Sequence, residues 1–278
     1  MDIADFLITK EYRRFEEFCN ACFRDKYIGI CHGVPGVGKT ISARHYSKWD
    51  YFQKLGSNDL SEKENLAISK QLIASRTIFY TAPVTNTPNR IEIDLDKERL
   101  KLFSSLHQAK KTVLKTSAGY TEDTSALVII DEADRLKMNT LEQVRDMYDR
   151  HGNWGVILIG MQGIEKRLAR YPQLYSRVGF AHKYRSIGEE EMFFILEHHW
   201  GKLGLELDRK NFSDTEAVAA VARATNGNFR LIHRLFSQIK RILKVNELTS
   251  ISKEVVEAAQ NVWLLEMYKT YYLCHLTI

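Results

Sequence analysis

Four short apolar runs alternate along the first two thirds of the chain with segments whose apolar residues recur at helical spacing. The runs are Tyr27-Ile28-Gly29-Ile30-Cys31-His32, Thr77-Ile78-Phe79-Tyr80-Thr81, Ala126-Leu127-Val128-Ile129-Ile130-Asp131 and Gly155-Val156-Ile157-Leu158-Ile159-Gly160. Runs this short, continuous and rich in β-branched residues read as strands buried on both faces, which is what a parallel sheet requires. Residues 5–25, Ile41 to Trp49 and Thr140 to Arg150 follow the 3.6-residue period instead, and Gly152 suits the C-cap of the last. A polar, charge-mixed insert from Gly56 to Ser75 precedes the second strand. Strands alternating with helices predict an α/β fold, a three-layer α/β/α domain around a parallel sheet.

Beyond Gly188 the strand-like runs cease. Helical periodicity there predicts helices over Glu189 to Leu203, Thr215 to Thr225, Phe229 to Val245 and Lys253 to Met267. The chain therefore divides into an N-terminal helical segment (1–25), a nucleotide-binding domain (26–185) and a small all-helical domain with a C-terminal tail (186–278). That tail, with Trp263, Met267, Tyr268, Tyr271 and Tyr272, is aromatic enough to serve a partner protein or to pack back on the helices.

Chemistry enters between the first strand and its helix. Gly33-Val34-Pro35-Gly36-Val37-Gly38-Lys39-Thr40 satisfies every fixed position of the phosphate-binding loop G-x-x-x-x-G-K-[ST], in the strand–loop–helix setting that the motif needs. Glycines let the backbone wrap phosphates, loop N–H groups and the helix start (Lys39, Thr40, Ile41) meet negative charge, and Lys39 adds a cation. Thr40 offers a hydroxyl to Mg²⁺. The third strand ends in Asp131-Glu132-Ala133-Asp134, a Walker B signature. A carboxylate at the carboxyl end of a parallel strand sits where ligands bind, so Asp131 is placed to hold Mg²⁺ and Glu132 to polarise an attacking water. Asp134 reads as a helix cap. The Asp-Glu pair and the lack of a guanine-reading N-K-x-D favour ATP over GTP.

Composition narrows the setting. At 278 residues and 44% apolar content the chain can bury a substantial core. No apolar stretch approaches the ~20 residues of a membrane span, and Met1-Asp2-Ile3-Ala4-Asp5 lacks a signal peptide's order, so a cytoplasmic location and no membrane partner are expected. Cys19 and Cys22 share the two-residue spacing of zinc and redox sites, yet they fall in a helical pattern with Phe15, Phe18 and Phe23 and read as core.

A P-loop core with a helical lid resembles the AAA+ ATPases, and further residues match that family's positions. Pro172-Gln173-Leu174-Tyr175-Ser176-Arg177 resembles the Ser-Arg element carrying the arginine finger, which implies that Arg177 reaches the ATP of a neighbouring subunit in a homo-oligomer. Gly227-Asn228-Phe229-Arg230 resembles sensor 2, which implies that Arg230 contacts phosphate in cis. The polar sensor 1 position should follow the fourth strand, where Gly160-Met161-Gln162 departs from the family pattern and Gln162 is the available substitute. The stretches Tyr27 to Gly33, Leu141-Glu142-Gln143-Val144-Arg145-Asp146 and Leu158 to Leu168 look like the transposition-regulator ATPases of the MuB, TnsC and TniB group. The resemblance spans roughly residues 10–240. It implies ATP-dependent assembly, as a ring or helical filament, on double-stranded DNA, and recruitment of a transposase with or without a target-selection protein. Loaders of the IstB or DnaC type and ExeA-type ATPases share much of the pattern, and an ATP-locked scaffold with little turnover is a third alternative.

Two basic helices bear on a DNA partner. Lys97, Lys101, Lys111 and Lys115 recur on one helical face with Lys110 beside it, while Leu102, Leu106, Ala109 and Val113 form a separate apolar stripe. Such a row either neutralises phosphates without reading bases or is simply a solvated face. In the last long helix Arg234, Lys240, Arg241 and Lys244 are open to a neighbouring subunit or to DNA, and sequence does not choose between them.

Overall fold

The computed structural model describes residues 6–49, 61–114 and 125–262. The chain divides into two compact units: Met1–Pro35 with Lys39–Tyr184, and Gly36–Gly38 with Arg185–Ile278.

The first unit is built on five strands, β1 (Ile28–His32), β2 (Thr77–Thr81), β3 (Ala126–Asp131), β4 (Trp154–Gly160) and β5 (Val178–Lys183), in the order β2-β3-β4-β1-β5. All pairings are parallel, with Val156 opposite Ile28 on one side and Val128 on the other, and Thr81 opposite Asp131, fixing the register. Its helices are α1 (Lys10–Asp25), α2 (Lys39–Ser47), α3 (Glu62–Ser75), α4 (Pro88–Leu114), α5 (Met138–His151), and the short α6 (Ile164–Leu168) and α7 (Pro172–Tyr175). Side chains alternate across the sheet with the period of two that strands impose. Ile28, Ile30, Ile78, Val128, Ile130, Val156 and Leu158 join one core with Leu95, Leu102 and Leu106 of α4 and Leu141 and Val144 of α5. Each such side chain, removed from water, contributes about 1.5–3 kcal/mol.

The opposite face receives α1, and two glycines admit it. A side-chain carbon at Gly29 would stand 2.5 Å from the Cys22 sulfur, and one at Gly155 would stand 2.4 Å from the Cys22 carbonyl oxygen. Cys19, Cys22 and Cys31 are free and buried at this seam. Desolvation raises the Cys22 thiol to about 12, which keeps it protonated and unreactive. Among the described residues no cluster of three or more His, Cys, Asp or Glu is placed to hold a metal. Also among the described residues, no helix is long and apolar enough to cross a membrane.

Two features depart from the expected elements. The fifth strand, Val-Gly-Phe-Ala-His-Lys at one edge of the sheet, alternates half-buried with exposed residues, so it lacks the continuous apolar run of the other four. The polar insert contains α3, opened by a capping box in which the Ser61 hydroxyl accepts from the Glu64 N–H and the Glu64 carboxylate accepts from the Ser61 N–H. Helix α4 begins well before the lysine row: Thr87 accepts from the Arg90 N–H and Pro88 takes the first helical position.

The second unit holds α8 (Glu189–Gly201), α9 (Phe212–Thr225), α10 (Phe229–Val245) and a further helix, α11, over residues 253–262. They enclose a core of Leu196, Trp200, Val221, Ile232, Phe236, Ile239 and Val256. Asn211 and Asn228 cap α9 and α10, each side chain accepting a first-turn N–H. Gly227 turns the chain at φ +67°, where a side chain would collide with the Ile187 carbonyl at 2.3 Å. The expected continuation of the last helix toward Met267, and the aromatic tail, lie outside the described residues.

Candidate nucleotide site

Parallel pairing brings the carboxyl ends of β1 and β3 to the same edge of the sheet, and the charged residues of the two motifs meet there. After β1 the backbone at Gly36 and Gly38 takes φ +83° and +113°, a left-handed path that side-chain-bearing residues avoid. Gly33 passes so near β5 that a side-chain carbon would lie 2.4 Å from the Tyr184 carbonyl. Beside it the Ser42 and Tyr184 hydroxyls bond at 2.6 Å, tying α2 to the strand end. Lys39 folds back over the loop, its Nζ donating to the carbonyls of Gly33 at 2.6 Å and Val34 at 3.0 Å. Partial burial lowers the pKa of this ammonium, against the opposing pull of Cys31, Asp131, Asp134 and Glu132. Val37 is buried, while Val34, Pro35, Thr40 and Ile41 are exposed.

Asp131 ends β3 only 4% exposed. Burial pushes its carboxyl above the ordinary range, and the Thr40 hydroxyl and the Glu132 N–H, at 2.9 Å, donate to it and pull the other way. A threonine hydroxyl against a buried carboxylate is a pair of hard oxygen donors, which suits Mg²⁺. Glu132 follows in the left-handed region at φ +55°, a conformation that a glutamate holds only when its surroundings impose it.

Those surroundings are visible. Glu132 Oε2 lies 3.7 Å from Arg135 Nη2, and Arg135 Nη1 donates to the Ala82 carbonyl at 2.9 Å. Asn86 Nδ2 in turn donates to the Arg135 and Pro83 carbonyls, both at 3.0 Å. Arg167 of α6 donates to the carbonyls of Asp134, at 2.7 Å, and Leu136. The turn carrying Glu132 is thus fixed by guanidinium groups on both sides. Asp134 does not cap α5, which starts at Met138 after Lys137; its carboxylate instead accepts the Met161 N–H at 2.6 Å. Gly160 makes that bond possible, since a side chain there would sit 2.6 Å from the Asp134 oxygen. Asp134 therefore links the ends of β3 and β4 and fixes the loop on which Gln162 stands exposed. At the end of β1, His32 Nδ1 approaches Glu165 Oε2 at 3.4 Å. Glu165 and Arg167 fall within the Leu158 to Leu168 stretch, but neither that likeness nor the charge of Arg135 indicates the backbone carbonyls and the histidine that these side chains meet.

The remaining candidates lie elsewhere. Arg177, just after α7, is held in its own chain by Asp149 of α5 through two bonds of 2.6 and 2.7 Å, with further donation to the Gln173 carbonyl and the Ser176 hydroxyl. In the second unit Arg230 opens α10 with an exposed side chain, and its N–H reaches the Gly36 carbonyl at 3.2 Å. On α4, Lys97 and Lys101 are exposed, Lys101 bonds Glu98 at 2.8 Å, Lys110 is half-buried, and Leu102, Leu106 and Ala109 are buried. The Lys111 side chain and Lys115 lie outside the described residues.

A family model described as an AAA domain matches residues 23–168. A curated protein of Staphylococcus aureus described as a potential ATP-binding protein is 45% identical over 265 residues, covering 92% of this chain and 96% of that protein. Among solved structures the fold is similar to the RuvB Holliday junction branch migration motor of Thermotoga maritima, with TM-score 0.57 and 16% identity over 93% of this chain and 70% of that one. It is similar too to the ORC1 protein of Aeropyrum pernix in complex with DNA, with TM-score 0.58 and 16% identity over 93% of this chain and 66% of that one. Domain III of the Thermotoga maritima replication initiation protein DnaA matches with TM-score 0.52 and 12% identity over 92% of this chain and 94% of that one. At such identities these three speak for the fold alone. With the family model covering more than half its length, and a relative of nearly half its sequence along almost all of it, this chain belongs to the AAA domain family of P-loop ATPases.

Proposed function

We propose that this chain is an ATP-dependent regulator of DNA transposition, which assembles with ATP on double-stranded DNA of any sequence, marks it as a target and recruits a transposase. The observation that carries the nucleotide half of the reading is the gathering of Lys39, Thr40, Asp131 and Glu132 at one edge of the sheet, around a buried carboxylate. The loop N–H groups and Lys39 bind the phosphates of ATP, which compete with the Gly33 and Val34 carbonyls for the ammonium. Thr40 and Asp131 hold Mg²⁺, which when bound spreads the charge of the phosphates. Glu132 takes the proton of the attacking water. Arg177 completes the site of the adjoining subunit, and a developing negative charge there is neutralised by a cation delivered in trans. Arg230 and Gln162 are assigned to the phosphates from within the chain. Hydrolysis then depends on assembly.

The DNA half is supported by the motif likeness to the transposition regulators, by the lysines of α4, and by the fold shared with an ORC1 protein seen in complex with DNA. Fluorescence anisotropy with a long duplex of arbitrary sequence tests it, with a non-hydrolysable ATP analogue, with ADP and without nucleotide, across a salt series. Tight, cooperative, salt-sensitive binding that needs the ATP analogue is the expected result. Failure to bind in every nucleotide state would move the function to protein loading or to a scaffold.

A further inference from the structure

Helix α10 carries its charge of one sign on one side. Its inward residues Ile232, Leu235, Phe236, Ile239 and Leu243 are buried in the core of the second unit. On the opposite side Arg230, His233, Arg234, Ser237, Lys240, Arg241 and Lys244 are all exposed. The helix contains five Arg or Lys residues and no acid. Among the described residues none of the five forms a salt bridge, and Arg241 only donates to the Gln238 side chain at 3.2 Å.

Helix α4 makes the contrast. There Arg90 pairs with Asp94, Arg99 with Asp96, Lys101 with Glu98, and Glu92 with Arg150 of α5, so its first half is internally neutralised. In α10, Arg230 with Arg234 and Lys240 with Lys244 place like charges one turn apart, a spacing that destabilises an isolated helix. The buried stripe holds the helix together regardless, and the cations stand on a rigid rod about 21 Å long from residue 230 to 244. A polyanion of matching length relieves that repulsion, and duplex DNA carries one charge per ~1.7 Å of its axis.

We infer that Arg234, Lys240, Arg241 and Lys244 on the outer face of α10 are a contact surface for the phosphate backbone of double-stranded DNA. This rests on the DNA-binding reading above, and assigns that binding to the second unit in addition to, or ahead of, α4. Arg230, at the glycine-loop end of the helix, is left to the nucleotide. A row of flexible cations along a rigid helix meets phosphate oxygens, contacts that carry no sequence information.

The test uses the full chain and the same duplex with the ATP analogue. Changing Arg234, Lys240, Arg241 and Lys244 to Gln together should weaken binding equally on duplexes of different sequence. It should also lower the slope of log affinity against log salt by roughly three to four, near 0.9 per lost phosphate contact. Melting temperature and ATP binding should stay at wild-type values. If the fourfold variant melts early, the single variants Arg234→Gln and Arg241→Gln should each lower the slope by about one. An unchanged slope overturns the inference while leaving DNA binding intact, and gives the face to an acidic protein. Loss of the whole slope in a Lys97→Gln, Lys101→Gln variant overturns it also, by placing the DNA on α4. No binding by the wild-type protein in any nucleotide state overturns the DNA reading itself, and this inference with it.

Discussion

Arg177 and Asp149 meet side by side, Nε to Oδ1 at 2.6 Å and Nη2 to Oδ2 at 2.7 Å, so one carboxylate occupies the fork of the guanidinium. Arg145 donates to the same carboxylate at 2.9 Å. The bonds from Arg177 hold the Asp149 carboxyl below its usual range, against the opposing effect of partial burial, with Arg145 adding to the fall. Planar two-point recognition is the geometry by which arginine also binds phosphate oxygens. In the role proposed for it, Arg177 would exchange this carboxylate for a neighbour's phosphate, and Asp149 is the partner it would leave.

If Arg177 acts across an interface, its loss can be complemented. The Arg177→Ala protein should bind ATP at wild-type affinity yet lose turnover by roughly 10³-fold or more. Mixing it with Glu132→Gln protein, inactive for a different reason, should restore part of the activity at interfaces that join an intact Glu132 to an intact Arg177. A mixture no more active than its components would return Arg177 to an anchor for α5.

Glu132 is assigned the proton, and its left-handed backbone with Arg135 nearby positions it whether or not it carries charge. Glu132→Gln keeps the shape and removes the base. Nucleotide binding should persist while turnover falls by about 10²–10⁴-fold, and complexes formed with ATP should outlive those of the wild type. Steady-state hydrolysis by the variant at the normal rate would take Glu132 out of this role.

The two nucleotide motifs were legible because their chemistry is carried by consecutive residues, and β1 to β4 because each carries a continuous, largely buried apolar run. What escaped depends on distant parts of the chain. Half-buried and exposed residues alternate along β5, so no apolar run marks it, and only its pairing with β1 shows it to be a strand of the sheet. Asp134 looked like a helix cap, and only the fold brings the Met161 N–H, 27 residues away, to its carboxylate. Arg167 was one basic residue among several near Arg177, and the carbonyls it holds lie 33 and 31 residues upstream. Helix α3 was a different kind of miss, since the Ser61–Glu64 capping box stood in the sequence and signalled a helix start.

Packing at the α1 seam gives a stability prediction free of any assumption about function. At Gly155 an added methyl group would meet the backbone carbonyl of Cys22 at 2.4 Å, and a backbone atom inside a packed helix cannot swing aside. Gly155→Ala should therefore lower stability by about 1–3 kcal/mol. Gly201, the last residue of α8, has nothing within 4 Å of the same added atom. Gly201→Ala should be neutral or stabilising by up to about 1 kcal/mol, because alanine has less conformational freedom to lose. Thermal melting of the pair reads both, and an unaltered melting temperature in Gly155→Ala would mean that α1 does not sit as tightly on the sheet.

His45 supplies the pH dependence. Its ring stacks on Phe6 at 3.9 Å between centroids, and burial together with the charge of Lys48 holds its pKa down from 6.5 to about 4. The folded-state value lies below the unfolded one, so between these limits the unfolded chain binds a proton that the folded chain refuses. Stability from this site is thus complete above about pH 6.5, declines as pH falls toward about 4, and changes no further below that. His45→Phe keeps an aromatic ring on Phe6 and removes the titration. Every other group titrates alike in both proteins, so the difference between their melting temperatures should grow in the variant's favour as pH is lowered from 6.5 to 4. A constant offset across that window would show that His45 takes up its proton equally in the folded and unfolded chains, and that the ring is more open to water than its stacking on Phe6 implies.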